Sequence, residues 1–252
     1  MLFSGGALTV VSELESALEE ARSAPYEGEF RARVEMALAL AEAYLSAGRI
    51  EEARAMLGEE VAFAEKIFEI VQAAGTREQR RAAAAGYVQL RDRSRQLSLI
   101  GSRAPEILIS EWIQGEAVTL EELCGRVVLL EFWATWCQPC QAMFGKLRQL
   151  DEEHRARGLE ILALTRYYYT QRSTARSQAE ELELVRKVVT DHNLKFRIGI
   201  APDERAQELY GATGLPVLTL IDRRGFVRDA RFGGGDDARF NELLGHCLNE
   251  RV

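Results

Sequence analysis

Cys137 and Cys140 stand three residues apart in the stretch Trp136-Cys137-Gln138-Pro139-Cys140, between an apolar run at residues 127–133 and an amphipathic stretch that begins at Pro139. Three residues are most of one α-helical turn, so both side chains fall on one side of a first turn, close enough to close a disulfide. The spacing permits a reversible bond. With Pro139 as the first helical residue, where a missing N–H costs nothing, Cys137 sits at or just before the N-cap and Cys140 inside the first turn. Cys137 is therefore expected to be the exposed thiol. The unpaired N–H groups and the positive end of the helix dipole favour its thiolate by roughly 0.3–1 kcal/mol. Cys137 is the expected nucleophile, and Cys140, shielded by the helix, is expected to resolve the mixed disulfide.

The same pair suits structural zinc, which needs four ligands. Cys124 and Cys247 form no second close pair, and His154, His192 and His246 lie apart in the sequence. The reading is redox, with no metal and no organic cofactor. Cys124 and Cys247 themselves are expected as buried apolar fillers. Glu131 interrupts the apolar run two residues before Trp133 and shares its face under strict alternation. A buried acid there has a raised pKa and becomes a candidate proton acceptor at neutral pH. Trp133, on the strand, reads as core, and Trp136, in the loop beside Cys137, as a rim that contacts partners. Pro216 precedes a strand whose interior ladder a proline would spoil.

These residues need a scaffold. Residues 127–133 are apolar nearly throughout, as a central strand covered on both faces should be. The helix after the cysteines carries Met143, Phe144, Leu147 and Leu150 on one face, and residues 159–164 supply a second strand, a right-handed βαβ unit with a parallel pair. A helix over 175–192, a strand over 196–200 and a short helix over 203–210 follow. Residues 217–221 and 226–232 flank the turn Asp222-Arg223-Arg224-Gly225 and should pair antiparallel. The last helix runs over about 236–248. Ahead of the central strand, residues 107–109 and the Trp112 region suggest a hairpin turning at Gln114-Gly115-Glu116, and 118–123 a short helical piece.

Taken together, these stretches resemble the thioredoxin superfamily, and within it the TlpA- and ResA-like thiol:disulfide oxidoreductases. The resemblance is carried by Arg103-Ala104-Pro105-Glu106, by 118–123, by Gly125-Arg126-Val127-Val128, by the run from Leu129 through Trp133-Ala134-Thr135-Trp136-Cys137, and by Gly214-Leu215-Pro216 leading into 217–222. It covers about residues 101–250. It implies a thioredoxin fold, a mixed sheet flanked by helices, and makes Pro216 the cis-proline that faces the disulfide. There Leu215 would offer its backbone N–H and C=O to an extended substrate segment. By the same resemblance Glu131 would help deprotonate Cys140 through a water. Met143 stands where some ResA-like relatives carry a glutamate.

The first hundred residues lie outside the resemblance and read as helices. Ser12 with Glu15 suggests a capping box, and Val11, Leu14, Leu18 and Ala21 line one face until Pro25. Phe30, Val34, Leu38, Ala41 and Leu45 mark a second helix stopped by Gly48. Ile50, Ala53, Leu57, Ala64, Phe68 and Val71 mark a third ending near Gly75, and Thr76 with Gln79 boxes a fourth. Leu40, Ala41, Tyr44, Gly48, Ala53 and Leu57 resemble one tetratricopeptide hairpin. The expected organisation is an all-α helical bundle over residues 1–100 and a thioredoxin-like α/β domain over 101–252.

In 252 residues, 28% are charged and the net charge is −7, which argues against a general nucleic-acid or anionic-membrane binder. No apolar run approaches the roughly 18 residues of a membrane helix, and no Lys or Arg precedes the short run at 7–11. As written the chain reads as cytoplasmic, and as periplasmic or extracytoplasmic if a signal or anchor was removed. The expected partners are a protein disulfide and an external thiol or dithiol donor. A peroxiredoxin-type peroxide reductase is the rival within catalysis. Such enzymes place Thr or Ser three residues before the reactive Cys, and here Ala134 stands before Cys137. A redox-linked binding protein, in which the helical domain selects the substrate, is the other rival.

Overall fold

Helical periodicity in the first hundred residues produces four helices in the computed structural model: α1 Ser4–Ser23, α2 Phe30–Ser46, α3 Ile50–Ala74 and α4 Arg77–Leu99. The structure describes residues 4–23, 30–169, 177–233 and 238–250. The chain divides into two compact units, residues 1–98 and 99–252. In the first, Val34, Ala37, Leu40, Ala41 and Tyr44 of α2 are buried, as are Ala53, Leu57, Ala64 and Ile67 of α3. The alanines let the helix axes approach, and Gly86 of α4 extends this closeness: a Cβ there would meet the Phe30 ring at 2.6 Å. Gly48, at φ +73°, ends α2 in the left-handed conformation that glycine adopts without strain, and Arg49 N–H returns to Tyr44 O at 2.8 Å.

Thr76 and Gln79 form the expected reciprocal box, with Thr76 N–H donating to Gln79 Oε1 and Gln79 N–H to Thr76 Oγ1. Ser12 does not cap a helix. It lies inside α1, where its carbonyl accepts from Ser16 Oγ, because the helix starts eight residues earlier at Ser4. Pro25 lies outside the described residues. Glu60, 0% exposed, is the one fully buried carboxylate described in this unit. It accepts from Arg22 Nε at 2.9 Å and from Arg33 Nε at 2.6 Å.

The second unit is built on β1 Glu111–Gln114, β2 Val127–Phe132, α5 Gln138–His154, β3 Leu159–Arg166, α6 Gln178–Asp191, β4 Arg197–Ala201, α7 Arg205–Tyr210, β5 Val217–Ile221, β6 Val227–Phe232 and α8 Ala238–Asn249. The strands form one mixed sheet in the order β1-β4-β3-β2-β5-β6. The interior strand β2 runs parallel to β3 and antiparallel to β5, and every one of its residues is buried. Its alternation serves two cores. Val127 and Leu129, with Trp133 just beyond, pack with Phe144 and Leu147 of α5 and Phe240 of α8. Val128, Leu130 and Phe132 pack on the other face with Tyr210, Val227 and Ala230. This is the thioredoxin fold, with helices on both faces of a mixed sheet.

The expected hairpin at residues 107–114 does not form. β1 pairs antiparallel with the distant β4, Trp112 opposite Gly199, and residues 107–109 form no strand. Glu106 explains this: its carboxylate accepts from Ile107 N, Leu120 N and Glu121 N, so the segment is held as a strap to the 119–122 turn. That turn replaces the helical piece expected at 118–123. It is closed by reciprocal Thr119 and Glu122 bonds and stopped at Gly125, φ +94°. No helix among the described residues is long and apolar enough to cross a membrane.

Candidate active site

The strand β2 delivers the chain to a short loop, and α5 starts directly after Cys137, so the parallel βαβ unit fixes where the thiols lie. Cys137 is the N-cap of α5, and its Sγ accepts the Cys140 backbone N–H at 3.2 Å. Gln138 is the first helical residue and Pro139 the second, one position later than expected. The cost is the same, since the first-turn N–H groups have no partner within the helix. Cys137 and Cys140 are joined by a disulfide, with their Cα atoms 5.3 Å apart.

The expected exposure of Cys137 is not found. It is 3% exposed, against 0% for Cys140, and both sulfurs join the core with Met143 and Phe144. The reason is tertiary. The N-cap places Sγ inward over the first turn, and Tyr168 and Leu215 pack against the same core. Trp136, next to Cys137 in the chain, is 51% exposed. Trp133 is fully buried, edge-on to Phe144 at 5.4 Å between centroids.

Glu131 occupies the middle of β2, between Ala163 of β3 and Leu218 of β5, on the face that carries Leu129, Trp133 and the disulfide core. It is 0% exposed and neither carboxylate oxygen has a hydrogen-bond partner among the described residues. Burial pushes its pKa well above the usual carboxylate range, since no cation or donor compensates the lost hydration. Burial thereby makes its carboxylate a stronger base than an exposed one. A carboxylate on the strand's end in solvent is excluded.

The Leu215–Pro216 peptide bond is cis, and Pro216 O accepts from Gly233 N at 2.9 Å. Leu215 is partly buried and touches both cores. Met143 is buried against α5's core face, so no acidic side chain stands one turn past Cys140. Of the other cysteines, Cys247 is buried, its thiol pushed up to about 11 by burial. Cys124 is exposed, against expectation, because it lies in the surface turn before Gly125 rather than on a packed face. No group of three or more His, Cys, Asp or Glu residues that could hold a metal ion occurs among the described residues.

Tyr168 belongs to the tyrosine triplet 167–169, which follows a strand at an edge near the active site and whose role the local pattern leaves open. It packs edge-on against Trp136, with centroids 5.5 Å apart and planes at 84°. The tyrosine triplet at 167–169 after a strand was the available signal, but its partner is 32 residues away in sequence.

The sequence matches the AhpC/TSA family over residues 100–230. The chain belongs to that family. It is 30% identical over 135 residues to the thiol-disulfide oxidoreductase ResA of Bacillus thuringiensis strain Al Hakam, covering 53% of this chain and 70% of the relative. It is 29% identical over 151 residues to ResA of Halalkalibacterium halodurans, covering 60% and 78%. Among solved structures it is similar to a thioredoxin family thiol:disulfide interchange protein from Chlorobium tepidum TLS, at 22% identity and a TM-score of 0.48, covering 58% of this chain and 96% of the other. Family membership and the closed Cys137–Cys140 couple together support disulfide oxidoreduction as the chemistry of this enzyme.

Proposed function

We propose that this enzyme reduces protein disulfides, with Cys137 as nucleophile and Cys140 as resolving thiol. The observation that carries the direction is Glu131, an unpartnered acid buried behind the couple on the central strand. In the reduced enzyme the Cys137 thiolate attacks one sulfur of the substrate disulfide, forming a mixed disulfide and expelling the other sulfur as a thiolate. Cys140 then loses its proton toward Glu131, through an intervening water, and its thiolate attacks Cys137 Sγ. The second substrate sulfur leaves, and the Cys137–Cys140 bond seen here forms. Two electrons have passed to the substrate, and an external thiol or dithiol returns them. Pro216 and the backbone of Leu215 would line the substrate groove and Trp136 its rim.

Two findings support this assignment over peroxide reduction. Ala134, three residues before Cys137, is buried and offers no hydroxyl. The ResA relatives are named for thiol-disulfide exchange. Turnover of a protein disulfide such as insulin tests it: Cys137→Ser should abolish reduction, and Cys140→Ser should accumulate a mixed disulfide. Peroxide turnover with no disulfide turnover would reverse the assignment.

We further assign residues 101–252 to the redox domain and 1–100 to a helical domain, tetratricopeptide-like at α2 and α3, that selects the substrate. A groove of about 690 Å³ walled by Phe30, Ile67, Ile70 and Val71 supports that division of labour. Ile70→Glu should weaken reduction of the natural protein substrate and leave a small aromatic disulfide unaffected. The resemblance to TlpA-like proteins favours an extracytoplasmic site of action, which fractionation of the producing cell tests.

A further inference from the structure

Trp136 is a large, half-exposed ring in a loop, which would ordinarily sample several rotamers. Its surroundings restrict it. Tyr168 presents its ring at 84° to the indole plane, an edge-to-face contact. Tyr168 is itself fixed on three sides. Its hydroxyl accepts from Gln207 Nε2 at 2.8 Å. The Arg166 guanidinium lies 4.3 Å from its ring centroid while donating to Gln207 Oε1 at 2.6 Å. The buried carboxylate of Glu181 accepts the backbone N–H groups of Tyr168 and Tyr169, at 2.5 Å and 3.1 Å. A carboxylate that caps two successive backbone amides fixes the chain there, and the phenol is anchored from α7 through Gln207.

We propose that Tyr168 is a positioning residue for the disulfide couple: held by Arg166, Gln207 and Glu181, it fixes the Trp136 indole as the rim against which an incoming protein segment packs. This deepens the disulfide-reducing reading and rests on it. A rim of this kind acts on macromolecular substrates. A small disulfide reaches the sulfurs without using the indole face, so its reduction is indifferent to where the indole points. The Tyr168 hydroxyl serves only to anchor the ring, so removing it costs less than removing the ring.

The test compares Tyr168→Ala, Tyr168→Leu and Tyr168→Phe in the full chain, with 5-fluorotryptophan incorporated and the Trp136 signal assigned by Trp136→Phe. Three readouts are taken: kcat/KM for insulin, kcat/KM for a small aromatic disulfide, and the fluorine spectrum. Loss of the ring should shift or broaden the Trp136 signal and lower kcat/KM for insulin by about three- to tenfold, mostly through KM. The small disulfide should lose clearly less than insulin does, and Tyr168→Phe should retain most of the insulin activity. Tyr168→Leu preserves apolar volume and stands in if Tyr168→Ala does not fold. An unchanged Trp136 signal with unchanged insulin turnover overturns the proposal, and so does an equal loss on both substrates, which marks a general structural effect. If the wild-type chain reduces neither substrate, the disulfide-reducing reading fails by itself. The fluorine signal then still decides whether Tyr168 positions Trp136.

Discussion

Glu60 in the helical unit and Glu131 in the sheet are both completely buried carboxylates, and they are treated in opposite ways. Glu60 is gripped by Arg22 and Arg33, with Arg33 also lying 3.4 Å from the Phe63 ring centroid. Glu131 has Ala163 and Leu218 for cross-strand neighbours and no partner for either oxygen. A folding domain has every reason to pair a buried charge, because an unpaired one costs several kcal/mol. Glu60 follows that rule and reads as structure. Glu131 breaks it on the strand that leads into the disulfide, and the departure is what its proposed role in proton transfer requires.

Substitutions should divide the two residues sharply. Glu60→Ala leaves two guanidinium groups without their buried partner and should destabilise the helical unit by about 3 kcal/mol, the lower end for a broken buried pair because Arg22 keeps some exposure. Reduction of a small disulfide should stay at the wild-type rate. Chemical denaturation with a parallel activity assay reads both. Glu131→Gln should do the reverse: about a hundredfold slower release of substrate from the mixed disulfide at neutral pH, the typical weight of one proton-transfer group, with stability unchanged or improved. Equal behaviour of the two variants in both assays would erase the distinction.

The comparison also has a pH signature. Glu131 gives up its proton at higher pH in the folded chain than in the unfolded one, where it titrates in the ordinary carboxylate range, near pH 4.3. The folded state therefore binds more protons above that range. Its stability is fully present below it, and this contribution is lost as pH rises toward the raised pKa of Glu131. Urea unfolding of the oxidised protein between about pH 5 and pH 8 should show this decline, and Glu131→Gln should flatten it. A smaller effect separates the remaining thiols. Cys124 should be alkylated in the native protein, whereas Cys247, buried and with its pKa raised to about 11, should react only after unfolding.

What could be read in advance was local. The i, i+3 spacing of Cys137 and Cys140, the N-cap at Cys137 and the buried face of β2 follow from residue type and period. So do the turn at Asp222, where Gly225 at φ +83° returns its N–H to Asp222 O, and the box at Thr76. What local pattern does not show depends on distant partners. Local pattern places β1 in a hairpin because nothing in its neighbourhood announces β4, about 85 residues later, or the Glu106 carboxylate that occupies the adjacent amides. Cys137 was expected at the surface because helix position alone does not show that Tyr168 and Leu215 close over the same core. Cys124 and Cys247 are the same residue type in patterns too short to separate a turn from a packed helix face.

An unpaired acid behind the Cys137–Cys140 couple should make it a reductant. The most direct measurement is the equilibrium reduction potential of that couple in wild-type protein against a glutathione and dithiothreitol series, with Cys137→Ser as the blank. The expected value is at or below about −270 mV, the thioredoxin range. A value near −120 mV, the range of a strong disulfide donor, would contradict it and make the enzyme an oxidant.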